Sequence, residues 1–328
     1  MAEHVVVGAG AVGRGVARLL ASDGHAVTIM SGSGRGSELA GVRAVALDAT
    51  DGAALAAAAK GAAVLYNCAN PRHYHRWPTE WPPLAASLLH AAEASGAGLV
   101  TMSNLYPYGE VDGPIRADSP LAATGTKGPI RRQMWEDALA AHRAGRLRVT
   151  EARASDYIGP DSGAQAHLGD RVIPRLLAGK SVRVMGSLDA LHSWTFVPDV
   201  SRVLATLGTD DRSWGRAWIV PSNPPSTQRE AIASIARAAG VAMPKVGVLS
   251  RRLIRAVGVV VPVARAFPEV LYQFERPFVV DATETTTTFG IEPTPWNEVV
   301  ARTLAAYGVT VDLSWVTAPV GGPGSVRA

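Results

Sequence analysis

Apolar and polar positions alternate in blocks along the first half of the chain. Short aliphatic runs are separated by stretches with helical spacing. Val5-Val6-Val7 is the first run, and Val16, Leu19 and Leu20 follow on what would be one helix face. Similar runs over His25 to Met30, Val42 to Leu47, Ala62 to Asn67, Leu99 to Ser103 and Leu147 to Ala154 predict further strands. Strands this apolar suit a sheet buried on both faces. Between them the pattern predicts an Ala-rich helix capped by Asp51, a helix from Pro82-Pro83 to Ser95, and one running from Pro129 to about Ala144. Such alternation predicts an α/β fold with a doubly wound, mainly parallel sheet in residues 1–155. Beyond residue 155 the alternation lapses. A helix capped near Asp199 and a strand over Ala217 to Val220 are expected to complete the sheet, within residues 194–220. Residues 156–193 and 221–317 would form a smaller cap for the substrate. It would hold a helix opened by a Thr227/Glu230 capping box and helical stretches over Leu249 to Leu271 and Asn297 to Tyr307. Residues 318–328 read as a flexible tail.

The first strand runs directly into Gly8-Ala9-Gly10-Ala11-Val12-Gly13, a G-x-G-x-x-G run between a strand and a helix. Gly8 permits a tight turn, Gly10 lets a pyrophosphate approach the backbone, and Gly13 lets the helix pack on the strand. The helix start then offers free N–H groups to phosphate oxygens. The end of the second strand would face the adenosine ribose. An acid there marks NAD, but this chain has Ser31, Ser33 and Arg35 and no carboxylate before Glu38. Small hydroxyls and a guanidinium suit a 2′-phosphate, so the pattern favours NADP over NAD. Asp48 closes the third strand. The small residues Ala69 and Asn70 close the fourth, where a dinucleotide could lie across the sheet.

Composition narrows the function further. With 328 residues and 47% hydrophobic content the chain can bury a large core. Its formal charge is +4, with no basic run beyond Arg131-Arg132 and Arg251-Arg252, which suits small anionic ligands and not nucleic acid. The single cysteine, Cys68, fits a reducing, cytoplasmic setting. The first strand starts too early for a signal peptide. The most apolar stretch, Leu253 to Val263, contains Arg255 and Pro262 and is too short to span a membrane. The loop from His73 to Trp81 is dense in aromatic and basic residues. His73-x-His75 without a carboxylate cluster does not make a metal site, so the loop either covers a ligand or is structural. A homodimer is compatible with all of this.

Several segments in this order resemble the extended short-chain dehydrogenase/reductase superfamily, the NAD-dependent epimerase/dehydratases. They are the glycine run, Asp48, Tyr108-Gly109, Lys127, Arg153 with Gly159-Pro160, Phe196-Val197-Pro198-Asp199, and Phe289-Gly290-Ile291-Glu292-Pro293-Thr294. The resemblance implies a Rossmann fold and a catalytic Ser/Thr with a Tyr-x-x-x-Lys pair. The Tyr moves the proton, and the Lys lowers its pKa and holds the nicotinamide ribose. Counting from Lys127 puts Ala123 at the Tyr position, and Asn104 stands at the Ser/Thr position. The Thr124-Gly125-Thr126-Lys127 run resembles the progesterone 5β-reductase-like branch, which relocates its Tyr and reduces enones. Tyr106 and Tyr157, both following predicted strands, are the replacement acids the sequence offers. The expected function is an atypical NADP-dependent reductase of a small-molecule carbonyl or enone. The alternatives are a nonenzymatic NADP-binding sensor and a nucleotide-sugar epimerase or dehydratase.

Overall fold

The computed structural model describes residues 2–71, 73–163, 166–260 and 265–311. Strand β1 (Glu3–Val7), helix α1 (Ala11–Ser22) and strands β2 (Ala26–Ser31) and β3 (Val42–Ala46) open the chain. Helix α2 (Gly52–Ala58), β4 (Val64–Asn67), α3 (Trp77–Ser95), β5 (Gly98–Asn104), α4 (Lys127–Arg143) and β6 (Val149–Ala154) follow. After β7 (Asp156–Ile158) come α5 (Ile173–Leu177), β8 (Val182–Met185), β9 (Leu191–His192), β10 (Trp194–Phe196), α6 (Val197–Thr209) and β11 (Ala217–Ile219). The chain then runs through β12 (Ser226–Thr227), α7 (Gln228–Ala238), β13 (Val246–Leu249), α8 (Arg251–Gly258), α9 (Tyr272–Glu275), α10 (Thr283–Phe289) and α11 (Trp296–Ala305).

Seven strands form one parallel sheet in the order β11-β6-β5-β4-β1-β2-β3. The strand order reverses between β1 and β4, and a crevice opens there at the carboxyl ends. Both faces are covered, which is why the strands read as continuous apolar runs. On one face α1 and α6 pack Val16, Leu20, Val200, Val203 and Leu207 against Val6, Ile29 and Val100. The other face carries Leu55, Trp81, Leu88 and Ala141 from α2, α3 and α4. A third apolar cluster joins Ile158, Ile173, Val184, Trp194, Ile232, Phe274 and Val300 beside the sheet.

The structure differs from the sequence pattern at several ends. Helix α3 starts at Trp77, a turn before Pro82, because Trp77 and Trp81 bury together at a 5.8 Å ring separation. Helix α4 starts at Lys127, with Pro129 third in the helix. The first N–H groups have no helical partner, so a proline costs nothing there. Asp199 does not cap α6; it lies in the first turn, buried, and accepts from the Thr294 N–H (2.7 Å), the Thr294 hydroxyl (2.6 Å) and Arg202 (2.8 Å). Helix α8 ends at Gly258 and does not continue to Leu271. Residues 261–264 of that stretch, and the tail 318–328, lie outside the described residues. Asp51 does cap α2, and Thr227 and Glu230 form the full capping box of α7. The threonine-rich α10 went unforeseen, since β-branched residues are weak helix formers.

Two buried imidazoles make the fold acid-sensitive. Burial pushes His167 down to about 4, and burial together with neighbouring His25 does the same to His4. Both stay neutral in the folded protein and take up protons more readily when unfolded. The unfolded chain therefore binds more protons between about pH 6.5 and pH 4, and stability falls as the pH drops through that window. The urea midpoint is expected to be lower at pH 4.5 than at about pH 7, and His167→Gln to flatten that dependence. Equal midpoints at the two pH values would contradict it.

Candidate functional site

The crevice at the strand-order switch opens into a cavity of about 1290 Å3. Its outer half is built from backbone. Gly8 has φ +106°, and a Cβ there would come within 2.6 Å of the Cys68 carbonyl. A Cβ on Gly13 would meet the Gly8 oxygen at 1.9 Å, so the helix and strand touch through hydrogen only. Gly10 by contrast has nothing within 4 Å of its would-be Cβ, which leaves room for a ligand at the start of α1. Gly8, Gly10, Ala11 and Val12 line the cavity; Gly13 supports them from beneath. Ser31, Ser33, Arg35 and Asp48 gather at the ends of β2 and β3. The Ser31 hydroxyl accepts from the Arg35 N–H (3.1 Å), which fixes this loop. Asp48 accepts from the Thr50 N–H and hydroxyl, and those bonds hold its carboxyl below the usual range. Ala69 and Asn70 line the middle of the cavity at the end of β4.

The inner half carries the side chains. Asn104 accepts from the Tyr106 N–H (3.1 Å) and so shapes the turn after β5. Tyr106, Tyr157 and Asn104 all line the cavity. The Tyr74 hydroxyl, from the His73–Trp81 segment, donates to the Tyr106 hydroxyl (2.8 Å). Burial raises the pKa of Tyr74, Tyr106 and Tyr157, and the charge of Asp156 adds to the rise. These phenols are held in the protonated form. His73 and His75 also line the cavity, and among the described residues no group of three or more His, Cys, Asp or Glu is placed to hold a metal ion.

Lys127 sits differently from the expectation. It does not line the cavity; its ammonium donates to the Ala266 carbonyl (2.8 Å), pairs with Glu269, and lies 4.4 Å from the Tyr74 ring centre. Burial lowers its pKa, and Glu269 opposes the fall. Ala123 lies before the start of α4 and shares no helix face with Lys127. The helical pair that starts at Lys127 continues forward, one turn on, to Arg131. Arg131 lines the cavity and is 5% exposed. Its guanidinium lies 4.0 Å from the Trp81 ring centre and 5.3 Å from that of Trp77. Its Nε and Nη1 are buried without a hydrogen-bond partner. Burial lowers its pKa to about 10, so it stays charged near neutral pH.

At the far end, Met185, Phe267, Val270, Leu271, Phe274 and Phe278 make an apolar wall. Asp156, His167 and Arg171 interrupt it. The Gln228 amide donates to the Met185 and Ser187 carbonyls (2.8 and 2.7 Å), which turns its oxygen toward His167 Nε2 at 2.6 Å. His167 therefore carries its hydrogen on Nε2. Arg131, Asp156 and His167 are not singled out by the sequence pattern. Counting four forward from Lys127 would have found the first; the other two carry no local signal.

The sequence pattern of the NAD dependent epimerase/dehydratase family matches residues 4–218. No curated protein matches the chain. Among solved structures, dTDP-glucose 4,6-dehydratase from Bacillus anthracis in complex with NAD superposes with a TM-score of 0.75 at 15% identity, over 94% of this chain and 97% of that one. DesIV, a dTDP-glucose 4,6-dehydratase from Streptomyces venezuelae with NAD and TYD bound, gives 0.72 at 19% identity, over 93% and 97%. The Bordetella bronchiseptica enzyme WbmH in complex with NAD+ gives 0.72 at 20% identity, over 94% and 99%.

Proposed function

The chain belongs to the NAD-dependent epimerase/dehydratase family, and from that premise we propose that it is an oxidoreductase that uses a nicotinamide dinucleotide to reduce a carbonyl or enone in a small, largely apolar molecule. The observation that carries this reading is the two-part cavity: a glycine cradle at one end and a wall of Phe267, Val270, Leu271, Phe274 and Phe278 at the other. Apolar walls with a few placed polar groups are typical of small-molecule sites.

The residues present fit the dinucleotide. The open space at Gly10 takes the pyrophosphate, Ser31, Ser33, Arg35 and Asp48 take the adenosine end, and Ala69 and Asn70 let the ligand cross the sheet. When bound, the group supplies hydride. The protein positions it, shields it from water behind the apolar wall, and offers Arg131 to acceptor oxygens on the inner half of the ligand. In this reading Lys127 does not touch the ribose. It fastens the segment around Ala266 and Glu269 over the site, with Phe267 stacked on Tyr74 at 5.4 Å.

The absence of a carboxylate at the end of β2 favours NADP(H) over NAD(H). Arg35→Ala is expected to reduce that preference by about 1.5–3 kcal/mol, the worth of a charge-assisted hydrogen bond. Titration of both reduced dinucleotides into the two proteins measures it; equal affinities in the unaltered protein would remove the assignment. A cytoplasmic setting, on the single cysteine, belongs to the same proposal. No described helix is long and apolar enough to cross a membrane.

A nucleotide-sugar substrate is the second reading, favoured by the dTDP-glucose 4,6-dehydratases among the structural neighbours. One assay separates the readings. Purified protein is mixed with NADPH and a set of apolar ketones and enones, and in parallel with dTDP- and UDP-sugars. Oxidation of NADPH by a ketone or enone is the expected result. Turnover of the sugars alone would replace the proposal, and dinucleotide binding with no turnover of either set would leave a sensor.

A further inference from the structure

Asp156 opens β7 and lines the cavity. Its Oδ2 lies 3.0 Å from Nε2 of His192, which is 1% exposed, and the other ring nitrogen, Nδ1, lies 3.0 Å from the Gln273 carbonyl oxygen. A carbonyl can only accept, so Nδ1 carries a hydrogen. Nε2 then faces a carboxyl oxygen at hydrogen-bond distance. Either Nε2 carries a second hydrogen and donates it, or the carboxyl is protonated and Nε2 accepts. A bare nitrogen facing a bare carboxylate would repel. Both allowed states place one further proton between the two residues.

The ring is held in this orientation. It stacks on Phe274 (4.9 Å between centres, 14° between planes) and Phe278 (5.5 Å, 26°), and leans on Trp194 at 4.4 Å. Other titratable groups also surround the carboxyl. His167, on Phe274 at 4.0 Å, is neutral and committed to Gln228. Tyr74, Tyr106, Tyr157 and Tyr272 all sense the Asp156 charge, and burial holds each phenol protonated well above its ordinary range.

We propose that the Asp156–His192 pair is the proton donor for carbonyl reduction, with Asp156 as the catalytic residue at the substrate oxygen and His192 as its positioning residue. The proposal rests on the oxidoreductase reading above. As the carbonyl carbon is reduced, the C=O π pair moves to oxygen, and that oxygen takes the proton held by the pair; a bound reduced dinucleotide would supply the hydride. Asp156 is left as carboxylate and His192 as the neutral Nδ1–H imidazole, and water restores the proton. In the reverse direction the same carboxylate takes the proton of the alcohol.

The first test needs no substrate. In 15N-histidine NMR of the unaltered protein near neutral pH, His192 is expected to show Nδ1 protonated and Nε2 bonded to a shared or full proton. Asp156→Asn should return Nε2 to the neutral form, because an amide can donate to it without holding a transferable proton. Unchanged Nε2 signals in Asp156→Asn would overturn the proposal. In kinetics, Asp156→Asn should lower kcat for carbonyl reduction by about 10²–10⁴-fold with dinucleotide affinity preserved. His192→Gln should lower kcat with KM and dinucleotide affinity kept, because the carboxyl loses the ring that shares its proton and fixes its orientation. A full kcat in Asp156→Asn would also overturn it. If the unaltered protein binds the dinucleotide and reduces no carbonyl, the oxidoreductase reading fails and takes the assigned role with it; the shared proton is still read separately by NMR.

Discussion

Glu151→Leu is expected to destabilise the protein by about 3–5 kcal/mol. Glu151 and Arg153 sit two apart on β6, so their side chains share one face of the strand. Both are buried, and the Arg153 Nε donates to the Glu151 carboxylate at 2.6 Å. The Arg153 Nη1 donates to the Tyr108 hydroxyl (2.6 Å), which itself donates to the Ala117 carbonyl at 3.2 Å. The guanidinium also lies 5.0 Å from the Tyr108 ring centre and 5.4 Å from that of Trp135. Removing the carboxylate strands this cation in the core, and it takes away the buried anion whose field raises the pKa of Arg131. Replacing both partners removes the stranded charge, so Glu151→Leu with Arg153→Leu should recover part of the loss. Urea denaturation of the three proteins checks this. An unchanged midpoint in Glu151→Leu would refute it.

Arg131→Met should act in the opposite sense on stability and strongly on ligand. In the free protein this guanidinium rests on two indole faces, and two of its nitrogens have no oxygen partner. Removing a buried guanidinium whose Nε and Nη1 lack hydrogen-bond partners, while keeping the apolar stem, should leave stability equal or raise it. Dinucleotide affinity should fall by about 10–150-fold, which corresponds to about 1.5–3 kcal/mol for hydrogen bonds to a charged group. Thermal melting without ligand and a dinucleotide titration give the two signs. A lower melting temperature with unaltered affinity would assign Arg131 to the core instead of to the site.

The parts of this protein legible in its sequence are those governed by local periodicity. The G-x-G-x-x-G run, the aliphatic strands and the Asp51 and Thr227 caps each depend on neighbours within a few residues. The inner site is not local. Asp156 and His192 lie on β7 and β9 and meet through the packing of Phe274 and Phe278, which no spacing encodes. Arg131 was hidden for a different reason. The Tyr-x-x-x-Lys spacing counts backward from Lys127, off the helix to Ala123, whereas Arg131 lies one turn forward. The sequence puts the start of α3 at Pro82-Pro83, but the burial of Trp77 and Trp81 extends the helix back to Trp77. The apolar stretch around α8 looked uniformly helical, although Gly258 and the exposed Val259 and Val260 end the helix there.

One of the two edge strands of the sheet, β11, has a consequence for how the protein is made. It pairs with β6, yet some sixty residues of chain lie between the end of one and the start of the other. At about 5–20 residues per second, a ribosome needs roughly 3–12 s to cross that gap. During that interval the nascent chain carries β6 as an open edge, with unpaired backbone groups along residues that are all buried in the finished protein. The emerging polypeptide thus passes through a defined window in which a chaperone, or another nascent copy, can compete with β11 for that edge.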